Sequence, residues 1–411
     1  MQHRITVLGA GYAGTSAALY LARRLRPEDV AITVVNADAD FVERLRLHQV
    51  AAGQDLPRRD LKRVFAAAGV HFVQARVTAL DADAKTVALG PADAAGRRTA
   101  EHGPAVHDAA EHDTVPYDTL LYALGSTAAD HGIPGVREHA FHVAGLDAAL
   151  RLRARLDGLA PGATVLVAGG NLTAIEAATE IAESRPGLRV VLATSGELGG
   201  WLGPKARAHL LRAFDRFGVD VHERTEIREV TATGAVAADG RAFDADATVW
   251  AAGFAAHPIA AAAGLAVHAT GQILVDRQMR SVSHPGVYAA GDSVFTLAED
   301  GEPLPMSCAS AGFTSMQARA AILGDLTGAR GRTSLAYYGN HISLGRKDAV
   351  FQALALGDRA TTWSVNGPVA ARLKNAILRG AAFGVVHPTY GLPVRKRALA
   401  TAPATARPVP A

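Results

Sequence analysis

The sequence predicts an α/β protein: two doubly wound, three-layer units followed by a smaller α+β segment. Three observations carry this expectation. The chain opens with an apolar run that enters a glycine turn and then a helix-spaced stretch. The same grammar returns at Thr164. At 411 residues, 49% of them hydrophobic, the chain is long enough for two or three cores.

Ile5 to Leu8 reads as a buried parallel strand, Gly9-x-Gly11-x-x-Gly14 as a tight strand-to-helix turn, and Thr15 to Leu21 as the helix. Gly9 makes the turn, Gly11 leaves room for a pyrophosphate against the backbone, and Gly14 lets the helix pack on the strand. The diphosphate of a dinucleotide would then rest on the N-terminal N–H groups of that helix. Ala31 to Val35 is the second parallel strand, and it ends at Asn36. An acidic residue usually meets the adenosine ribose there; asparagine offers a hydrogen bond without charge. Phe41 to Gln49 mixes charged and apolar residues, either as an amphipathic helix or as the wall of a site for a second substrate or a long cofactor. Val70 to Leu80 and Lys85 to Leu89 have strand character. Pro91 to Val115 reads as a mobile insertion in a hairpin. Its His102, His107 and His112 match no compact metal motif. Tyr117 to Ser126 is a buried strand ending in a glycine turn.

The repeat follows. Thr164 to Ala168 is a strand, Gly169-Gly170-Asn171-Leu172-Thr173-Ala174 a glycine turn entering a helix, and Leu188 to Leu192 the next strand. Ala247 to Phe254 echoes Leu120 to Ser126, and Gly286 to Asp292 is a third such strand, closed by Gly291-Asp292. A helix is expected over Ser310 to Leu323, then strands over Ile342 to Leu344 and Ala349 to Leu356. A last helix is expected over Val369 to Phe383. On it Val369, Leu373, Ala376, Ile377 and Gly380 share one face, and Arg372, Asn375 and Arg379 another. The apolar face is expected to pack in a core or a dimer, with a membrane surface as the alternative.

Charge is unevenly placed. The net charge is +3, but from Gly331 onward eleven basic residues face two acidic ones, so that segment carries +9 and the rest −6. A basic end suits an acidic surface or anionic lipid headgroups, or is a solvated face. Nucleic acid is not expected, because no basic stretch is interleaved with aromatics. No apolar stretch approaches the roughly 18–20 residues that span a bilayer. The N-terminus runs straight into a strand, leaving no room for a signal peptide. The single cysteine, Cys308, excludes an internal disulfide or a paired-cysteine redox centre, and a cytoplasmic setting is expected.

Taken in order, these motifs resemble the two-dinucleotide-binding-domain flavoproteins of the pyridine nucleotide–disulfide oxidoreductase superfamily. The nearest likeness is to the type II NADH dehydrogenase and apoptosis-inducing-factor-like branch, which lacks redox cysteines. The resemblance covers about residues 1–330. It implies two Rossmann-like domains, the second inserted in the first: 1–145 with 265–330 for FAD, 146–264 for NAD(P)H, and 331–411 for contact with a dimer partner, the acceptor or a membrane surface.

The resemblance implies FAD on Gly9, Gly11, Tyr12, Ala13 and Gly14, with Asn36 at the ribose, Val77, Gly125 and Gly291 lining the site, and Asp292 at the ribityl or pyrophosphate region. Arg46, His48 and Gln49 would lie near the isoalloxazine. The helix after Pro305 would aim its positive end at the flavin pyrimidine, with Cys308 near the ring or simply a small buried hydrophobe. Gly169, Gly170 and Asn171 would take NAD(P)H. Asparagine tolerates the left-handed backbone of a glycine turn, but its side chain stands where the pyrophosphate approaches, at about 1–3 kcal/mol. Ala193-Thr194-Ser195 offers no carboxylate for a ribose 2′-hydroxyl, so NADH and NADPH are not distinguished. Glu176 matches the family's glutamate near the flavin–nicotinamide contact, with a proton-moving role; the alternative is a surface helix glutamate.

The implied activity is hydride transfer from NAD(P)H to FAD and electron delivery to a quinone or other small acceptor. A homodimer is implied, cytoplasmic or peripheral on the inner face of the membrane. A biosynthetic flavoenzyme with weakened nucleotide binding, acting directly on an organic substrate, is one alternative. An apoptosis-inducing-factor-like flavoprotein whose redox state governs partner binding is another. Sulfide–quinone or disulfide chemistry is disfavoured for want of cysteines.

Overall fold

Strands of a parallel sheet covered on both faces need apolar side chains at nearly every position. The runs at Ile5 and Val165 meet that need, and each is the centre of a five-stranded sheet. The computed structural model describes residues 1–92, 114–298, 301–328, 339–354, 360–391 and 394–400.

In chain order, His3–Leu8 (β1), Tyr12–Arg24 (α1), Val30–Asn36 (β2), Leu47–Ala51 (α2), His71–Gln74 (β3) and Thr119–Tyr122 (β4) come first. Ala140–Phe141 (β5), Thr164–Ala168 (β6), Leu172–Ser184 (α3), Arg189–Ala193 (β7), Pro204–Phe217 (α4), Asp220–His222 (β8) and Ala247–Trp250 (β9) follow. Val287–Ala289 (β10), Cys308–Thr327 (α5), Gly339–Ser343 (β11), Ala349–Leu354 (β12), Ala360–Asn366 (β13) and Pro368–Val386 (α6) come last.

The first sheet has the order β10-β4-β1-β2-β3, all parallel. The second has the order β8-β7-β6-β9-β5, also all parallel. The chain builds the second sheet and then returns to the first at β10. Both are Rossmann-like, with a glycine turn and helix after the central strand. The strands β11, β12 and β13 form an antiparallel sheet that touches α4 and α6.

Several elements differ from expectation. The stretch Val70 to Leu80 breaks at Ala75 into β3 and Arg76–Asp81. The second piece joins an antiparallel meander with Thr86–Gly90 and Thr114–Pro116. Of the insertion expected over Pro91 to Val115, residues 93–113, with His102, His107 and His112, lie outside the described residues. Phe41 to Gln49 is not one helix: a 3-10 turn at Arg44–Arg46 precedes the short α2. The second sheet already holds β5, a few residues ahead of the expected boundary at 146.

The largest difference is the orientation of α6. Its buried side chains are Ala370, Ala371, Lys374, Leu378, Ala382 and Val385. The face expected to pack in a core or a dimer is not in this chain's own core: Val369 and Leu373 are exposed, as are Ala376 and Gly380, and Ile377 is half-buried. Short alanines allow close approach to the sheet, and Lys374 enters because an anion waits for it inside. No helix among the described residues is long and apolar enough to cross a membrane.

Candidate functional site

In an open parallel sheet, ligands bind outside the carboxyl ends of the strands. Four of the expected residues collect there on the first sheet: Gly9 after β1, Asn36 at the end of β2, Gly125 after β4 and Asp292 after β10. The three turn glycines have separable roles. Gly9 has φ +93, and a Cβ on it would lie 2.3 Å from the Ala123 carbonyl oxygen. A Cβ on Gly14 would lie 1.9 Å from the Gly9 carbonyl oxygen. Both are demanded by the protein itself. Gly11 is not: its φ is −76, and a Cβ there meets nothing within 4 Å. It is the N-cap of α1 and makes no side-chain cap, so the first N–H groups of the helix stay bare. A glycine the fold does not need, at an uncapped helix start, fits a diphosphate.

The surrounding side chains brace this loop. Asn36 Oδ1 accepts from the Ala10 N–H at 2.9 Å, and its Nδ2 donates to the Asp38 carbonyl at 2.9 Å. One Oδ1 lone pair remains for a ribose hydroxyl. Ser126 Oγ donates to Asp292 Oδ2 at 2.6 Å. Arg44, which sequence reasoning missed, donates from Nη2 to Ser126 Oγ at 3.2 Å and lies 3.7 Å from Asp292 Oδ2. Gly125 (φ +74) donates to Ser293 Oγ, and Gly291 (φ +78) to Thr314 Oγ1, each at 3.0 Å. Tyr12 and Ala13 open α1, with the Tyr12 ring edge-on to Phe41. Val77 is buried in the core of the first sheet.

Cys308 opens α5 and is half-buried. Burial, reinforced by the Asp292 carboxylate, pushes its thiol up to about 12. It stays protonated at neutral pH and so is no nucleophile, in keeping with a small hydrophobe. Arg46 and Gln49 bond each other, Nε to Oε1 at 2.7 Å.

The second loop repeats the backbone but not the chemistry. Gly169 has φ +136, and a Cβ there would lie 2.4 Å from the Ala251 carbonyl oxygen. A Cβ on Gly170 would lie 2.1 Å from Thr194 Oγ1. Asn171 corrects the expectation of a left-handed residue: its φ is −87, open to any side chain. It caps α3 instead, its Oδ1 accepting from the Ala174 N–H at 3.5 Å. The helix start left bare in the first loop is covered here by the protein's own amide.

Glu176 is no surface residue. It is buried one turn into α3 and paired with Lys374 of α6. Its Oε1 accepts from the Ser343 N–H at 2.9 Å, and its Oε2 lies 3.7 Å from His48 Nδ1. Lys374 Nζ also donates to the His341 carbonyl at 3.0 Å. Burial alone would raise the Glu176 carboxyl, but the Lys374 ammonium, His48 and the Ser343 N–H outweigh it and hold the carboxyl below its ordinary range. Burial lowers His48, against the pull of Glu176, so the imidazole is neutral at pH 7. Its Nε2 is buried without a hydrogen-bond partner among the described residues. Lys374 was missed, yet it stands in line with Ala370, Leu378 and Ala382 at four-residue spacing. A lysine inside an apolar stripe is a legible signal. No group of three or more metal-type side chains occurs among the described residues.

The pyridine nucleotide-disulphide oxidoreductase family profile matches residues 3–318. An NADH dehydrogenase-like protein of Mycobacterium tuberculosis is 30% identical over 326 residues, covering 74% of this chain and 76% of the relative. A type II NADH:quinone oxidoreductase of Staphylococcus haemolyticus is 26% identical over 337 residues, covering 74% and 77%. Among solved structures, NDH2 from Plasmodium falciparum in complex with NADH aligns over 96% of this chain and all of its own, with TM-score 0.74 and 13% identity. Reduced CoADR-RHD of Bacillus anthracis aligns with TM-score 0.72 and 18% identity over 86% of this chain; this chain spans 62% of that structure. At these identities the structural likeness is one of fold.

Proposed function

The chain belongs to the pyridine nucleotide-disulphide oxidoreductase family, and from that premise we propose that this oxidoreductase is a FAD-dependent NAD(P)H dehydrogenase serving a quinone or similar small acceptor. The observation that carries the reading is Gly11, a glycine with open space where a side chain would be and bare helix N–H groups beside it. Bound FAD would supply the redox chemistry, taking a hydride from the nicotinamide and passing electrons on.

The chain's own residues do the rest. The Gly9–Gly14 loop and the start of α1 hold the diphosphate, and Asn36 Oδ1 meets the ribose. Asp292, steadied by Ser126, accepts from cofactor hydroxyls, while Arg44 offers its charge to the phosphates. Quinone reduction takes up protons as well as electrons. The buried Lys374–Glu176–His48 group suits that step: Lys374 keeps Glu176 ionised and able to accept a proton, and neutral His48 lies beside it. Residues 1–139 with 265–330 hold FAD, 140–264 the nucleotide, and the segment from 331 onward supplies Lys374 and the outward apolar face of α6. That face, flanked by exposed Arg372 and Arg379, meets a membrane surface or a second copy of the chain.

Anaerobic titration of the flavin-loaded protein tests the reading. NADH or NADPH should bleach the flavin rapidly, and a quinone should restore its colour. No bleaching at millimolar nucleotide sinks the proposal and favours the biosynthetic alternative, which rests on the Asn171 cap. If that cap is the obstacle, Asn171→Gly should tighten nucleotide binding about tenfold, while the lost cap costs only a few tenths of a kcal/mol. An unchanged Kd removes Asn171 as the cause.

A further inference from the structure

Glu176 is one of three carboxylates on a single face of α3: Glu176, Glu180 and Glu183 follow one another at four- and three-residue spacing. Glu176 is the member paired with Lys374. Glu183, half-buried, accepts on Oε2 from the Arg346 N–H at 2.6 Å, in the turn between β11 and β12. Glu180 stands between them and is completely buried.

The two oxygens of Glu180 have different surroundings. Oε1 accepts from Arg346 Nε at 3.0 Å and from Gln54 Nε2 at 2.5 Å. The Arg346 side chain is 46% exposed, so bulk water reaches this end of the carboxylate row. Oε2 is buried with no protein partner among the described residues, and so is His48 Nε2. His48 lies on α2, which packs on α3, and Gln54, just past α2, ties Glu180 to that segment. The Glu180 charge acts on the His48 ring. An ion pair with Arg346 needs one carboxylate oxygen and leaves the inner one unexplained. Buried polar atoms are paired with protein or with ordered water. A water donating to Glu180 Oε2 and to His48 Nε2 satisfies both, and it joins Arg346 at the surface to Glu176 inside.

We infer that Glu180 is a proton relay, taking a proton from solvent beside Arg346 and passing it through a water to His48, which recharges Glu176. The inference rests on the proton-delivering role proposed above for Glu176 and His48. A nicotinamide gives a hydride, two electrons with one proton. Reduction of a quinone to a quinol takes two electrons and two protons, so the second proton comes from solvent. Glu180 gives that proton to His48 Nε2, the Nδ1 proton leaves for Glu176 Oε2, and Glu176 yields it to the quinone oxygen. Glu180, again a carboxylate, takes the next proton from solvent, and rotation of the imidazole restores its first tautomer. Glu180 touches no substrate and acts only through His48.

Stopped-flow absorbance of the flavin-loaded protein tests the relay, because it separates bleaching by NADH or NADPH from reoxidation by a soluble quinone, each in H2O and D2O. Glu180→Gln keeps an oxygen for Arg346 and Gln54 but has no carboxyl to carry a proton. It should bleach at the unmodified rate, reoxidise at least about tenfold more slowly, and show a larger solvent isotope effect on reoxidation. Arg346→Met breaks the ion pair, keeps the carboxyl, and should reoxidise faster than Glu180→Gln. If Glu180→Gln does not fold, the double variant Glu180→Gln/Arg346→Met, with neither charge left unanswered, must show the same slowing. Unchanged reoxidation without the Glu180 carboxyl, or equal slowing in Arg346→Met, overturns the relay while the dehydrogenase function stands. If neither nucleotide bleaches the unmodified protein, the function and the relay fall together.

Discussion

Gly11→Ala is expected to yield a folded protein that purifies without its yellow colour. The backbone at Gly11, with φ −76 and ψ −161, is open to any residue, and the added Cβ touches nothing in the protein. Replacing a glycine at such a site restricts the unfolded chain and adds about 0.4–1 kcal/mol to the stability of the cofactor-free protein. The same methyl group blocks the approach of a diphosphate to the helix start. The lost contacts weaken FAD by about 3 kcal/mol, on the order of 100-fold. Gly14→Ala is the contrasting control. Its Cβ would lie 1.9 Å from the Gly9 carbonyl oxygen, so β1 and α1 cannot keep their distance and the protein should fail to fold. Flavin absorbance, circular dichroism and the melting temperature of the cofactor-free proteins separate the two. A Gly11→Ala protein with full flavin content would remove the main support for the cofactor site.

The contrast shows which parts of the site were legible. Gly9, Gly11 and Gly14 carry their roles in the spacing alone, because turn, ligand approach and helix packing each demand the absence of a side chain at a fixed offset. The two parallel sheets were legible for a similar reason: strands covered on both faces must be continuously apolar. What the sequence hid depends on distance along the chain. Arg44 meets Ser126 and Asp292 only when three segments converge. The apolar residues of α6 do not single out its inner face, since leucine and valine occur on both sides: Val369 and Leu373 outward, Leu378 and Val385 inward. The lysine in line with Ala370, Leu378 and Ala382 is the one signal of it. Asn171 was legible as a substitution but not as a cap, because its φ is set by the helix it starts and not by the glycine it replaces.

Lys374→Met is expected to destabilise the protein by about 3–5 kcal/mol, the usual cost of stranding one member of a buried ion pair. Glu176 would keep the Ser343 N–H but lose its cation, and burial would then dominate and push its carboxyl up. The pH dependence should change sign. In the unmodified protein the Glu176 carboxyl is held below its unfolded value, so its contribution is present above that value and lost as pH falls through the folded pKa. In Lys374→Met the folded pKa is raised, so the deficit should be small in acid and grow as pH rises past the unfolded value of about 4.3. His48 and His341 are both lowered, burial being the first cause in each, and both penalise acid. Lys374 is among the causes that lower both, so Lys374→Met also eases their acid penalty, and Glu176 is read from Lys374→Met against the double variant Glu176→Gln/Lys374→Met, which lacks the same cation. The double variant Glu176→Gln/Lys374→Met buries no charge at this position and should recover most of the loss at neutral pH. Denaturant melts between about pH 3 and 8 read all three. Parallel curves for parent and Lys374→Met would mean that Glu176 is already protonated in the fold, and that it cannot serve as a proton acceptor. If the double variant is stable, its flavin should still be bleached by nucleotide while reoxidation by a quinone slows. That split separates a pair that moves protons from one that only joins α3 to α6.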